Sequence, residues 1–220
     1  LTAENYIGMS SGVVVQTGSA GVIGNATVYE SASVSENVAV FDSNSNKVVI
    51  VWKDDNNSNY GTAIVGNIDA SNNTISFGSQ VVFESAESRY FSLAFDSSSN
   101  KIVIAYTDIG NSSYGTAIIG TVSGTSISFG TPVVFESGTT NYKGIAFDSN
   151  SNKVVLSFKD VGNSNYGTAL VGTVSGTNIS FGSSSVFESA QSNFMAAVFD
   201  SNSNKVVIAY QDAGDGDAGK

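Results

Sequence analysis

The chain contains no cysteine and no histidine, and only one proline and one tryptophan in 220 residues. The first two absences together remove disulfides, thiolate nucleophiles, histidine acid–base catalysis and ordinary zinc sites. No run of 18 or more apolar residues occurs, so no membrane-spanning helix is encoded. The opening Leu-Thr-Ala-Glu-Asn-Tyr lacks the basic start of a signal peptide. Positive charge is scarce as well: 9 Lys and Arg against 19 Asp and Glu leave a net charge of −10, which repels phosphate backbones and anionic lipid. Neither nucleic acid nor membrane insertion is expected, and no cofactor or metal. A start at Leu1 in place of Met leads to the expectation of a piece of a longer chain or a larger assembly.

What the chain has is repetition. Phe-Asp-Ser-x-Ser-Asn-Lys followed by an apolar run occurs at Phe41, Phe95, Phe147 and Phe199, at spacings of 54, 52 and 52 residues. A hydrophobic content of 41% with 13% charged residues is the composition of a folded chain. Within one copy, 92–96 is a short strand pattern ending in a polar turn, 97–100. Lys101 to Thr107 is a β-branched and aromatic run suited to burial on both faces. After a Gly/Asn/Ser loop, 114–122 forms a third strand, and 127–135 a fourth with a bend at Gly130. Helical periodicity is absent.

Four strands per roughly 52 residues predict an all-β chain, a β-propeller of four four-stranded blades. The repeats fall near 32–85, 86–137 and 138–189. A split blade joins 13–31 to 190–212, closing the ring by pairing N-terminal and C-terminal half-blades, because 13–17 falls at the third strand and 21–31 aligns with 127–137, Gly24 at Gly130 and Tyr29 at Phe135. Residues 1–12 are a lead segment, 13–212 one repeat domain and 213–220 a tail. The competing expectation is a fragment of a longer array.

Twelve of the 19 carboxylates recur in register, in the series beginning at Asp42, Asp54 and Glu30. Repetition gives each copy a similar environment, whereas an acid–base pair needs two different ones, so these read as structural. The turn beginning at Asp42 has a weak likeness to the opening of a calcium loop. Each copy, however, offers a single carboxylate, and Lys47, Lys101, Lys153 or Lys205 stands where glycine belongs. Trp52 aligns with Tyr106, Phe158 and Tyr210 and reads as core.

Specificity is expected where the copies disagree, just upstream of each Phe-Asp, in 32–37, 86–91, 138–143 and 190–195. Glu36, Arg89, Tyr90, Asn141, Tyr142, Lys143, Asn193 and Phe194 combine aromatic faces with hydrogen-bonding groups, a chemistry that suits surface glycan or a protein epitope. Read as loops between blades, they form one variable rim.

The phrases Gly-Thr-Val-Ser-Gly-Thr-x-Ile-Ser-Phe-Gly, at 120–130 and 172–182, and Phe-Asp-Ser-Asn-Ser-Asn-Lys-Val-Val, at Phe147 and Phe199, resemble tandem propeller-like repeats of marine bacterial surface proteins and phage tail-fibre-like structural proteins. The resemblance implies an extracellular, cell-surface or virion setting and no enzymatic activity. The leading expectation is a structural or adhesive module. The alternatives are a carbohydrate-active hydrolase, with Glu36 and Glu87 converging across the axis, and a passive spacer in a filament.

Overall fold

The recurring heptapeptide builds a hairpin. In the computed structural model, which describes residues 24–220, Asp96 Oδ1 accepts the backbone N–H of Ser98 at 2.9 Å and of Ser99 at 3.0 Å, and its Oδ2 accepts the Ser99 hydroxyl at 2.6 Å. Asn100 then takes a left-handed φ of 55°, which asparagine tolerates better than most residues. Lys101 pairs back across to Asp96. Asp42, Asp148 and Asp200 repeat the arrangement. Each carboxylate is turned inward onto its own turn, and among the described residues no group of three acidic side chains is placed to hold a metal ion.

The first repeat contributes β1 (Val34–Asp42), β2 (Lys47–Asp54), β3 (Tyr60–Asp69) and β4 (Thr74–Phe77). The second has β5 (Val81–Asp96), β6 (Lys101–Asp108), β7 (Tyr114–Ser123) and β8 (Ser126–Phe129). The third has β9 (Val133–Asp148), β10 (Lys153–Asp160), β11 (Tyr166–Ser175) and β12 (Asn178–Phe181). The fourth has β13 (Ser185–Asp200), β14 (Lys205–Asp212) and the two-residue β15 (Ala218–Gly219).

All pairings are antiparallel, and the 16-residue strands β5, β9 and β13 link the repeats. The first half of β5 pairs with β3, from Val81 opposite Ala63 to Glu87 opposite Tyr60; its second half pairs with β6. Three of the segments expected to be loops between blades, 86–91, 138–143 and 190–195, are therefore the middles of continuous strands, and 32–37 runs into the start of β1. They hold no proline and, apart from Gly138, no glycine, so nothing in them stops an extended chain.

The closed four-blade ring is overturned. The strands form one antiparallel sheet whose path runs from β1 to β15 without joining its ends. It folds back at each long strand, so that successive repeats stack in sandwich-like layers. Val49, Val51, Ala63 and Val65 face Ile102, Ile104, Tyr106 and Ile118; the opposite face of the second repeat, with Val103, Ala105, Ala117 and Ile119, packs on Val154, Leu156, Phe158 and Leu170. Period-two alternation sends one apolar set to each layer, which is why the second strands read as unbroken apolar runs. Tyr29 sits against Trp52 at 5.1 Å and Phe77 at 6.1 Å, as Phe83 sits against Tyr106 at 5.5 Å and Phe129 at 5.4 Å. Among the described residues nothing covers the outer face of the fourth repeat, where Val198 and Val207 are 62% and 52% exposed. Residues 13–23, assigned to the split blade, lie outside the described residues, as does the 1–12 lead segment.

Candidate functional site

The long strands share one irregularity. Register shifts fall between Ser35 and Val38, Arg89 and Ser92, and Asn193 and Ala196, and opposite Ser157 and Lys159 in the third repeat. At each bulge one residue has positive φ: Glu36 at 54°, Tyr90 at 54°, Tyr142 at 46° and Phe194 at 51°. Glycine would meet that backbone demand at least cost, yet a chain with 23 glycines places none at these four equivalent positions. Bulges re-aim side chains, and strained non-glycine residues concentrate where a side chain is kept for a use.

Here the bulges aim four side chains into one row. A Glu36 carboxylate oxygen accepts the backbone N–H of Tyr90. The Tyr90 and Tyr142 rings meet edge to face, with centroids 5.3 Å apart, and Tyr142 meets Phe194 at 4.7 Å. Tyr90 and Tyr142 are half-buried, whereas Phe194 is 64% exposed. Burial, with the neighbouring Tyr142 and Glu36 as secondary causes, pushes the Tyr90 hydroxyl above its ordinary pKa, so it stays a neutral donor.

Beside the row lie two cations of different character. Lys143 is buried, and its Nζ donates to Thr107 Oγ1 at 2.6 Å and to the Thr140 carbonyl at 3.1 Å, 5.8 Å from the centre of the Tyr90 ring. Burial drives its pKa well below the ordinary 10.5, against an opposing pull from Glu36. Lys159 donates to Asn193 Oδ1 at 3.0 Å and stands 5.7 Å from the centre of the Tyr142 ring; desolvation lowers its pKa too. Asn193 is buried and donates onward to Gln211 at 3.0 Å.

The residues after each bulge line a cavity of about 350 Å³ shared by all four repeats, with Val38, Phe91, Lys143 and Met195 among its walls. Gly144 is required there, since a Cβ would come within 2.9 Å of the backbone joining Ala196 to Ala197.

Of the eight sequence-predicted residues, Glu36, Tyr90, Tyr142 and Phe194 form the row, and Lys143 and Asn193 lie beside it. Asn141 stands opposite Lys159 in the strand register. Arg89 is drawn off by Glu87 at 2.6 Å, the ion pair that raises its pKa. Glu36 and Glu87 are thus each engaged by a different partner. Lys159 is the residue that the sequence reading missed. Its signal was present: Lys53, Thr107, Lys159 and Gln211 occupy the one polar position that differs among otherwise similar second strands. Each pairs with Ser35, Arg89, Asn141 or Asn193 just before the bulge.

No protein-family model and no curated protein matches the chain. Among solved structures, an exo-beta-1,3-galactanase from Clostridium thermocellum is similar over 81% of this chain and 41% of its own, with 11% identity and a TM-score of 0.48. The chain thus spans less than half of that protein, and a likeness so distant has no bearing on what this chain does. No helix among the described residues is long and apolar enough to cross a membrane.

Proposed function

We propose that the chain is a non-enzymatic adhesive module of an extracellular, cell-surface or virion structure, and that it binds glycan along the row of Glu36, Tyr90, Tyr142 and Phe194. The observation carrying this reading is the row itself, four side chains held at left-handed backbone positions where glycine would be less strained. Aromatic faces stack on the C–H faces of sugar rings, and an amphipathic ring set among polar groups suits a surface that is part apolar and part wet. Glu36 supplies an acceptor for sugar hydroxyls, and Lys159, held by Asn193, supplies a donor. A net charge of −10 favours neutral or cationic glycans over sulfated or phosphorylated ones.

The test is a glycan-array screen of the wild type beside Phe194→Ala, a truncation at an exposed ring that leaves the core alone. A neutral glycan bound by the wild type and about 30-fold more weakly by the variant is expected, the loss typical of an aromatic anchor. Equal binding by both proteins removes the row from the account. Binding confined to protein ligands removes the glycan.

A further inference from the structure

One side chain at the shared cavity departs from the pattern of its equivalents. The residue directly after each left-handed position is Asn37, Phe91, Lys143 or Met195, and the last three are buried and line the cavity. Phe91 and Met195 show what the fold asks for here, an apolar body of middling size. The methylene stem of Lys143 provides one too, but it ends in an amine that is costly to bury and adds nothing to packing. Among the described residues no carboxylate pairs with that amine. Its acceptors are both neutral, the Thr107 hydroxyl at 2.6 Å and the Thr140 carbonyl at 3.1 Å. Two acceptors match the two N–H bonds of a free amine and leave its lone pair unused, whereas an ammonium has a third N–H to satisfy. Burial, opposed by Glu36, lowers the pKa and so enlarges the free-amine fraction.

A desolvated lysine beside an apolar cavity is the arrangement that makes this amine nucleophilic towards carbonyl carbon. Val38, Phe91, Leu93, Ile145 and Met195 supply apolar walls, and the volume of about 350 Å³ is at the small end for a ligand site. We infer that Lys143 is a carbonyl-capture site, whose amine condenses with a small apolar aldehyde held in this cavity. The Nζ lone pair forms a bond to the carbonyl carbon, and the π pair of the C=O bond moves onto oxygen. One N–H proton passes to that oxygen, relayed by the Thr107 hydroxyl beside Nζ, and gives a carbinolamine. The hydroxyl then leaves with the second N–H proton as one molecule of water, and a C=N bond remains. Nothing is oxidised or reduced. This goes beyond the glycan reading and stands independently of it.

Reductive trapping tests it on the whole chain. Benzaldehyde is added at neutral pH with sodium cyanoborohydride, which reduces the C=N bond to a stable secondary amine, and peptide mass spectrometry reads the label at each of the eight lysines. Lys143 is expected to be labelled about tenfold faster than any other lysine, the factor in free amine that one pKa unit gives, and at a rate that saturates as benzaldehyde is raised. Benzyl alcohol, which has nearly the same shape but no carbonyl, slows labelling of Lys143 and leaves the others unchanged. Lys143→Met, verified as folded by circular dichroism, lacks the fast label; should it not fold, the wild-type comparison among lysines and the benzyl alcohol competition stand without it. Faster labelling of Lys159 or of an exposed lysine, a Lys143 left unlabelled, or labelling of Lys143 that benzyl alcohol does not slow overturns the inference.

Discussion

Gly130→Ala is expected to lower the free energy of unfolding by about 3 kcal/mol or more, while Gly182→Ala changes it by less than about 0.5 kcal/mol. The two glycines are equivalent in sequence and differ only in what lies above them. A Cβ on Gly130 would overlap the carbonyl oxygen of Thr177, in the turn of the next repeat, and one on Gly78 would overlap that of Thr125 in the same way. Backbone packed on backbone cannot yield as a flexible side chain does, so the layers must part. Near Gly182 the nearest atom is the Val171 carbonyl oxygen, at 3.8 Å, and among the described residues no such turn lies over it. None of the three has a left-handed backbone, so alanine is excluded by space alone. Urea unfolding of dilute, monomeric protein separates the two substitutions. Equal costs would mean that a turn covers Gly182 in the monomer.

Lys143→Met is expected to raise stability at neutral pH by about 1–3 kcal/mol. The ammonium is buried without a carboxylate at hydrogen-bond distance, and methionine is the residue that the scaffold itself uses at the equivalent Met195. Removing the ammonium strands no partner, since the Thr107 hydroxyl still donates to the Thr140 carbonyl. The pH dependence distinguishes this from simple repacking. Burial lowers the folded-state pKa below 10.5, so between those two values the unfolded chain binds the proton that the folded chain has released. Wild-type stability therefore rises with pH across that window. The advantage of Lys143→Met is full below the folded pKa and fades as pH approaches 10.5. An advantage that stays constant up to that pH would mean that burial does not lower the folded-state pKa and that the gain is repacking alone.

Much of this was legible in the sequence because it is local. The Phe-Asp-Ser-x-Ser-Asn-Lys heptapeptide carries a complete turn, with a carboxylate that bonds the next N–H groups and an asparagine for the left-handed position. The candidate row could be picked out too, because disagreement among near-identical copies marks positions that the shared packing does not fix. The bulge was not, since Glu36, Tyr90, Tyr142 and Phe194 give no local sign of left-handed backbone. It also hid the continuity of β5, β9 and β13, whose halves serve two repeats. Closure failed as an expectation because four strands per repeat fix a strand count but not whether the sheets radiate from an axis or fold back on one another at long strands such as β5, β9 and β13.

The central claim is that the aromatic row is retained for binding at a cost to the fold, and replacing Tyr90, Tyr142 and Phe194 together by glycine tests it most directly. Left-handed backbone costs a non-glycine residue about 1 kcal/mol or more, and an aromatic pair contributes about 0.5–1.5 kcal/mol, so relief of strain and loss of ring contacts should nearly cancel. Urea unfolding and binding to the array-identified glycan, measured on the same preparation, should give a stability within about 2 kcal/mol of the wild type and no detectable binding. A protein that still binds that glycan, or one that loses more than about 4 kcal/mol, would show that the row is packing and not a site.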